Sequence, residues 1–349
     1  MSETRQQAER AHRAFLRLST GVDRTQILQD VAKALETNAA SVFDANRKDL
    51  EASRSTLSSA LYKRLMFNES KLRDVVDAAM LAWRRDRPDF HFVLAMASFA
   101  HAESGDAAYA ETLGRRALAS NPACPLGVHA VAHALAASGR HSKGAQWMRD
   151  QRGHWATESR MCTHNAWHLS MFDAEEGNVA SALAILDAWL LPASAQSALD
   201  ACDATALLWR LTSDGVDDGG RWNKLSDAFE RILTPGFWPY VDLHAALAHL
   251  TAGNPERVER LAQTVRQCAE GTSYAALRAR HVTQPGLRAL AAQTAGRYDE
   301  AAAAFTGLQP FLECAGGSRV QLEVFQSIER HAVQQQHIRQ PQPSSALQR

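Results

Sequence analysis

The feature that most restricts the fold of this chain is a repeated break. Gly139-Arg140, Gly177-Asn178, Gly253-Asn254 and Gly296-Arg297 each close one helix-length segment, and another follows at once. Glycine after a run of helical periodicity ends a helix, because it adopts the left-handed conformation without a steric penalty. Short breaks between helices leave antiparallel hairpins as the available geometry. Segments 92–104 and 108–120, 128–138 and 142–151, and 162–176 and 179–189 pair in this way; 198–211, 225–233, 242–251, 255–268, 287–294 and 298–308 continue the pattern. Ala110, Ala117 and Pro122 stand at the spacing of a tetratricopeptide hairpin's second helix and closing proline. No stretch alternates as a strand would. The sequence therefore predicts an all-α fold, an irregular tetratricopeptide-like solenoid of about five or six hairpins over residues 87–333.

A small helical segment, residues 1–86, precedes it. Helices are expected over 3–20, over a stretch that turns Ile27, Val31, Leu35 and Val42 inward, and over 57–66 and 71–83, with 44–49 as a polar break and 86–89 as the linker. Residues 334–349 are polar and proline-broken, so this tail is expected to be disordered.

Composition excludes several function classes. Lysine plus arginine and aspartate plus glutamate both total 38, a zero net charge that argues against nucleic acid as a partner. The five cysteines have no Cys-x-x-Cys spacing, and the odd number fits reduced thiols in a cytoplasmic protein. No apolar run approaches the roughly 20 residues a membrane-spanning helix needs, so no membrane role is expected.

Chemistry is concentrated in two histidine pairs, His129-Ala-Val-Ala-His133 and His164-Asn-Ala-Trp-His168. An i,i+4 pair puts both imidazoles on one helical face, one turn apart. Histidine is 14 of 349 residues, and the chain holds two such pairs, where random placement gives about half of one. The pairs are 35 residues apart, close to the period of a two-helix repeat. First helices of stacked hairpins line the concave side, so all four imidazoles should converge there, with ring nitrogens of the two pairs about 3–4 Å apart. A further 35 residues from His168 lies Asp203, and the next first-type helix carries Asp242 and His244. Imidazoles with one or two carboxylates suit zinc, iron or manganese in a helical array. The alternatives are a buried hydrogen-bond network that sets hairpin register, and metal-free acid–base catalysis by a histidine–aspartate pair. The tryptophans between Trp147 and Trp238 read as core, and Arg210 and Arg221 as ion-paired or solvated arginines with anion binding as the other option.

Two resemblances bear on these expectations. Asp44-Ala45-Asn46-Arg47-Lys48-Asp49-Leu50, the run from Leu57 to Leu65 and Lys71-Leu72-Arg73-Asp74 resemble the N-terminal helices of gamma-glutamyl phosphate reductase. That family continues into a dinucleotide-binding domain and a catalytic cysteine domain. No Gly-rich strand-to-helix turn follows Trp83, so neither a nicotinamide cofactor nor reductase activity is expected. The second resemblance covers about residues 90–332 and is carried by Asn121-Pro122, the two histidine blocks, Leu199-Asp200 with Asp203, Trp209-Arg210-Leu211, Asp242-Leu243-His244 and Gly316-Gly317-Ser318. These blocks are similar to the tetratricopeptide repeat protein 38 family, whose bacterial members are called StaR-like. The resemblance implies a helical-repeat fold and, for some bacterial relatives, a place in specialised metabolism of amino-acid-derived compounds. The combined expectation is a metal-binding or catalytic site in the concave groove, with His129, His133, His164 and His168 as ligands and Asp203, Asp242 and His244 in acid–base or supporting roles. Its partner would be a small-molecule substrate; the alternative is a scaffold that grips a peptide or protein.

Overall fold

In the computed structural model the residues described are 24–54, 62, 65–69, 71–72, 90–156 and 161–339. Every regular element among them is a helix. The chain divides into two compact units, 1–93 and 94–349. Among the described residues, no helix is long and apolar enough to cross a membrane.

In the first unit, α1 (Arg24–Thr37) and α2 (Ala39–Ser53) are separated by Asn38 alone. The expected polar break at 44–49 lies inside α2, which buries none of its residues and so accommodates a charged run. Asn46 from that run donates to the Leu65 carbonyl at 2.9 Å and accepts from the Phe67 amide at 2.7 Å. Val31, expected inside, is exposed, and Ala32 is buried instead. The helix expected over 3–20 and the linker at 86–89 lie outside the described residues, as does most of 57–66 and 71–83.

The second unit begins within α3 (His91–Glu103), followed by α4 (Ala107–Ser120), α5 (Pro125–Ala137), α6 (His141–Asp150), α7 (Cys162–Glu175), α8 (Val179–Ile185), α9 (Ala198–Ser213) and α10 (Arg221–Ile232). Next come α11 (Pro239–Thr251), α12 (Pro255–Ala269), α13 (Tyr274–Arg278), α14 (Gln284–Thr294), α15 (Tyr298–Leu308) and α16 (Arg319–Arg339). The hairpins α5–α6, α7–α8, α9–α10, α11–α12 and α14–α15 stack so that α5, α7, α9, α11 and α14 pack on one another in series. These inner helices are buried nearly all round: Gly127–Leu135 in α5 and Pro239–His249 in α11 are unbroken buried runs. A helix that is apolar on every face needs neighbours on every side.

The breaks behave as their sequence predicts. At the four Gly-X sites the glycine has φ between 66 and 76°. The next amide bonds back five residues, as in Arg140 to the Leu135 carbonyl (3.0 Å) and Asn178 to that of Asp173 (2.8 Å). This is the Schellman closure, which satisfies the last carbonyls of each inner helix.

Two departures have a common cause. The helices expected over 179–189 and 287–294 meet π turns, at Leu186–Leu190 and Ala279–Thr283. Each turn is followed two residues later by a proline, Pro192 or Pro285. Proline has no amide hydrogen and crowds the carbonyl one turn back, so the helix widens ahead of it.

The main addition is α16. It continues six residues beyond Val333, where the disordered tail was expected to begin, and residues 340–349 lie outside the described residues. Leu322, Phe325, Ile328 and Ala332 bury one helical face against α5, α9 and α15. The chain reaches α16 through Gly316 (φ 91°) and Gly317 (φ 89°). A Cβ on Gly316 would stand 2.4 Å from Trp238 Nε1, which donates to the Ala315 carbonyl at 2.9 Å. Gly316→Ala therefore combines backbone strain with a clash, and should lower unfolding free energy by about 2–4 kcal/mol in a denaturant titration. A change below about 0.5 kcal/mol would show that this turn is not constrained.

Candidate metal centre

The helix starts bring the two histidine pairs together. Pro125 occupies the first turn of α5, where its missing amide hydrogen costs nothing. Asn165 of α7 donates to the Pro125 carbonyl at 3.4 Å, so the first turns of α5 and α7 are tied together. The pairs then face each other across the inner layer. One ring nitrogen from each of His129, His133, His164 and His168 lies within 4.8 Å of those of the other three. His164 Nε2 is 3.1 Å from His129 Nε2, and His133 Nε2 is 3.0 Å from that same atom. The expected convergence in one hollow is thus present.

Two carboxylates support the group from outside. His164 Nδ1 is 2.6 Å from Asp203 Oδ2, and His133 Nδ1 is 3.2 Å from Glu103 Oε1, an ion-pair contact without hydrogen-bond alignment. A carboxylate beside Nδ1 retains the ring proton there and leaves Nε2 with its lone pair inward, the tautomer a metal ligand needs. Aromatic rings form the walls: Phe99 stacks on His129 (centroids 5.6 Å apart) and Trp167 on His164 (5.2 Å).

Protons satisfy this arrangement only in part. A ring nitrogen has one in-plane position, either N–H or lone pair. His129 Nε2 as N–H therefore shares one proton between two acceptors, and as a lone pair it needs an N–H from a neighbour. Moving the proton of His133 or His164 to Nε2 instead points a lone pair at Glu103 or Asp203. His129 Nδ1 and His168 Nε2 are moreover buried without a partner. A cation among inward lone pairs would engage all four rings at once.

Electrostatics points the same way. Burial, reinforced by the neighbouring imidazoles, holds His129 and His168 well below the usual imidazole range, so both are neutral at physiological pH. Burial also lowers His133, against the pull of Glu103. At His164 burial acts downward too, but Asp203 outweighs it and the net shift is upward. Glu103 is buried, which raises its carboxyl, yet His133 and the Arg319 amide bring it below the ordinary value.

Two cavities reach the group from the inner face. One, of about 450 Å³, is lined by Glu103, His133, Arg319 and Leu322 among others. The second, of about 280 Å³, is lined by His168, Met171, Phe172 and Arg210. Ala136, Val320 and Glu323 border both.

Not every predicted site residue joins this group. Asp203 does, although its contact is with His164 rather than His168. Asp242 and His244 are engaged elsewhere. Asp242 Oδ1 accepts from the Gly236 amide at 3.1 Å, and His244 Nδ1 donates to the Tyr240 carbonyl at 2.7 Å, its ring against Tyr240 and Phe325. Residues two apart on one helix diverge by roughly 200°, so this pair cannot face a single point. Arg210 is ion-paired with Glu175 and Glu323, and Arg221 with Asp187. The sequence reading missed Glu103 and Gln321; neither has a spacing that links it to the histidines. All five cysteines are free thiols. No family model matches the chain.

Asp242 still has a measurable consequence. Burial raises its carboxyl to about 7, against the opposing effects of the Gly236 amide and Arg278. The folded state thus holds a proton that the unfolded state loses near its usual value, about 3.9, and stability falls as pH rises from about 4 to 7. His244, lowered by burial to about 4, acts oppositely: stability is lost as pH falls from about 6.5. Asp242→Asn removes only the first contribution. Its unfolding free energy relative to wild type should rise by on the order of 3 kcal/mol between pH 4 and pH 8; a difference constant over that range would refute the assignment.

Proposed function

We propose that His129, His133, His164 and His168 bind one divalent transition metal, and that the centre acts on a small molecule admitted through the two cavities of the inner face. The observation that carries this is the convergence of one ring nitrogen from each of the four histidines within 4.8 Å, with Asp203 and Glu103 beside the Nδ1 atoms of His164 and His133. Four imidazoles are donors suited to zinc or iron, and manganese would draw more on a carboxylate. On zinc they would complete a tetrahedron, whereas a six-coordinate metal keeps two positions for substrate. Such an ion acts as a Lewis acid and activates bound water or dioxygen. Asp203 and Glu103 would then fix the rings of His164 and His133, Phe99 and Trp167 would limit water around the group, and the cavities beside His133 and His168 would receive the substrate.

The likeness of residues 90–332 to StaR-like proteins, with its implied role in metabolism of amino-acid-derived compounds, belongs to this proposal. So does the separation of this activity from the reductase-like residues 5–85. A peptide-gripping scaffold is disfavoured by α16, which packs along α5 and α9 where such a ligand would lie.

Elemental analysis of protein purified without a histidine tag tests the reading. About one equivalent of zinc, iron or manganese per chain is expected, with loss of that metal in the His129→Ala, His164→Ala double variant. A wild type that stays metal-free after incubation with each ion, and melts at an unchanged temperature, would remove the centre.

A further inference from the structure

We infer that α16 completes the metal centre and that Gln321 is a positioning residue for it, an inference that rests on the metal reading above. The histidines depend on two carboxylates, Asp203 and Glu103, and the remaining oxygen of each is held by the first turn of α16. Asp203 Oδ2 takes His164 Nδ1 at 2.6 Å, while Asp203 Oδ1 accepts from Gln321 Nε2 at 3.2 Å. Glu103 Oε1 faces His133 Nδ1 at 3.2 Å, and Glu103 Oε2 accepts from the Arg319 amide at 2.8 Å. The Arg319 guanidinium also donates to the Glu103 backbone carbonyl at 3.2 Å. Gln321 is 118 residues from Asp203, and Arg319 is 216 from Glu103, so local chain geometry does not impose these contacts.

The physical role follows from carboxylate geometry. A carboxylate turns about its last side-chain bond, and only one orientation aims an oxygen at the imidazole N–H. Asp203 is 2% exposed, so water does not fix that orientation. The Gln321 amide does, and through Asp203 it fixes the tautomer and tilt of His164. The position of α16 is set independently, by the Gly316-Gly317 turn, by Trp238 Nε1 on the Ala315 carbonyl and by Arg278 on the Cys314 and Ala315 carbonyls. The same helix contributes Val320 and Glu323 to both cavities. One element thus aligns the ligands and borders the approach to them.

The test compares zinc affinity, by chelator competition, in the full-length wild type, Gln321→Met and Ser327→Ala. Met keeps the length of Gln321 and removes its donor. Ser327 lies on the same helix and accepts from Trp209 Nε1 at 3.2 Å, away from the carboxylates, so its variant reports helix docking alone. Gln321→Met should weaken zinc binding by about 10–100-fold, with Ser327→Ala within about twofold of wild type. Equal affinity in Gln321→Met and wild type would overturn the inference while leaving the metal centre standing. Hydrogen exchange on wild type gives a second arm that needs no variant. Zinc should slow exchange of the amides of residues 322–326, by the reciprocity of coupled sites; unchanged exchange with zinc bound would equally overturn it. A wild type that takes up no zinc removes the metal reading itself, and the inference with it.

Discussion

A buried imidazole nitrogen in contact with two others is the constraint on which the inner face depends. At His129 Nε2 a single proton has two ring nitrogens to serve, on a buried ring. An unsatisfied buried polar group costs about 1–3 kcal/mol, and the group holds His129 Nδ1 and His168 Nε2 in that state. Burial keeps His129 and His168 neutral, since the charged form would be costlier in a low-dielectric interior, while Asp203 draws His164 the other way. Convergent ring nitrogens with carboxylates beside the Nδ1 atoms of His133 and His164 are what a metal site requires. A core that only packed would place apolar side chains there.

The helical array supplies the rigidity for this arrangement. Small residues let α6 and α7 approach closely: Gly144 on α6 leaves room for the Phe172 ring, which a Cβ would meet at 2.4 Å. The Schellman closures fix where each inner helix stops, so the two pairs keep their 35-residue register in space as well as in sequence. The last helix then folds back over these inner helices and bonds the carboxylates. An open solenoid presents a groove; this chain uses its C-terminal helix to narrow that groove to two cavities beside the histidines.

The sequence revealed the periodic parts of this design and concealed the rest. Helix hairpins were legible because Gly-X breaks and apolar periodicity are local signals, and the inner helices begin and end within a few residues of expectation. The four histidines were legible because i,i+4 spacing and a shared repeat place them on equivalent faces. Asp203 carried the same register. Asp242 and His244 did not, since two residues two apart cannot serve one site. Glu103 and Gln321 reach the site from α3 and α16, at separations with no periodic signal. The polar run at 44–49 suggested a break because charge alone does not distinguish a loop from an exposed helix. Leu322, Phe325, Ile328 and Ala332 did carry helical spacing, but their partners are distant in sequence.

X-ray absorption at the edge of the metal that copurifies tests the central claim most directly. Four histidine ligands give a nearest shell of about four nitrogens, at about 2.0–2.1 Å if the metal is zinc, with the scattering pattern of imidazole rings and no sulfur. A shell of oxygen only, or one containing sulfur from a cysteine, would place the metal elsewhere and contradict it.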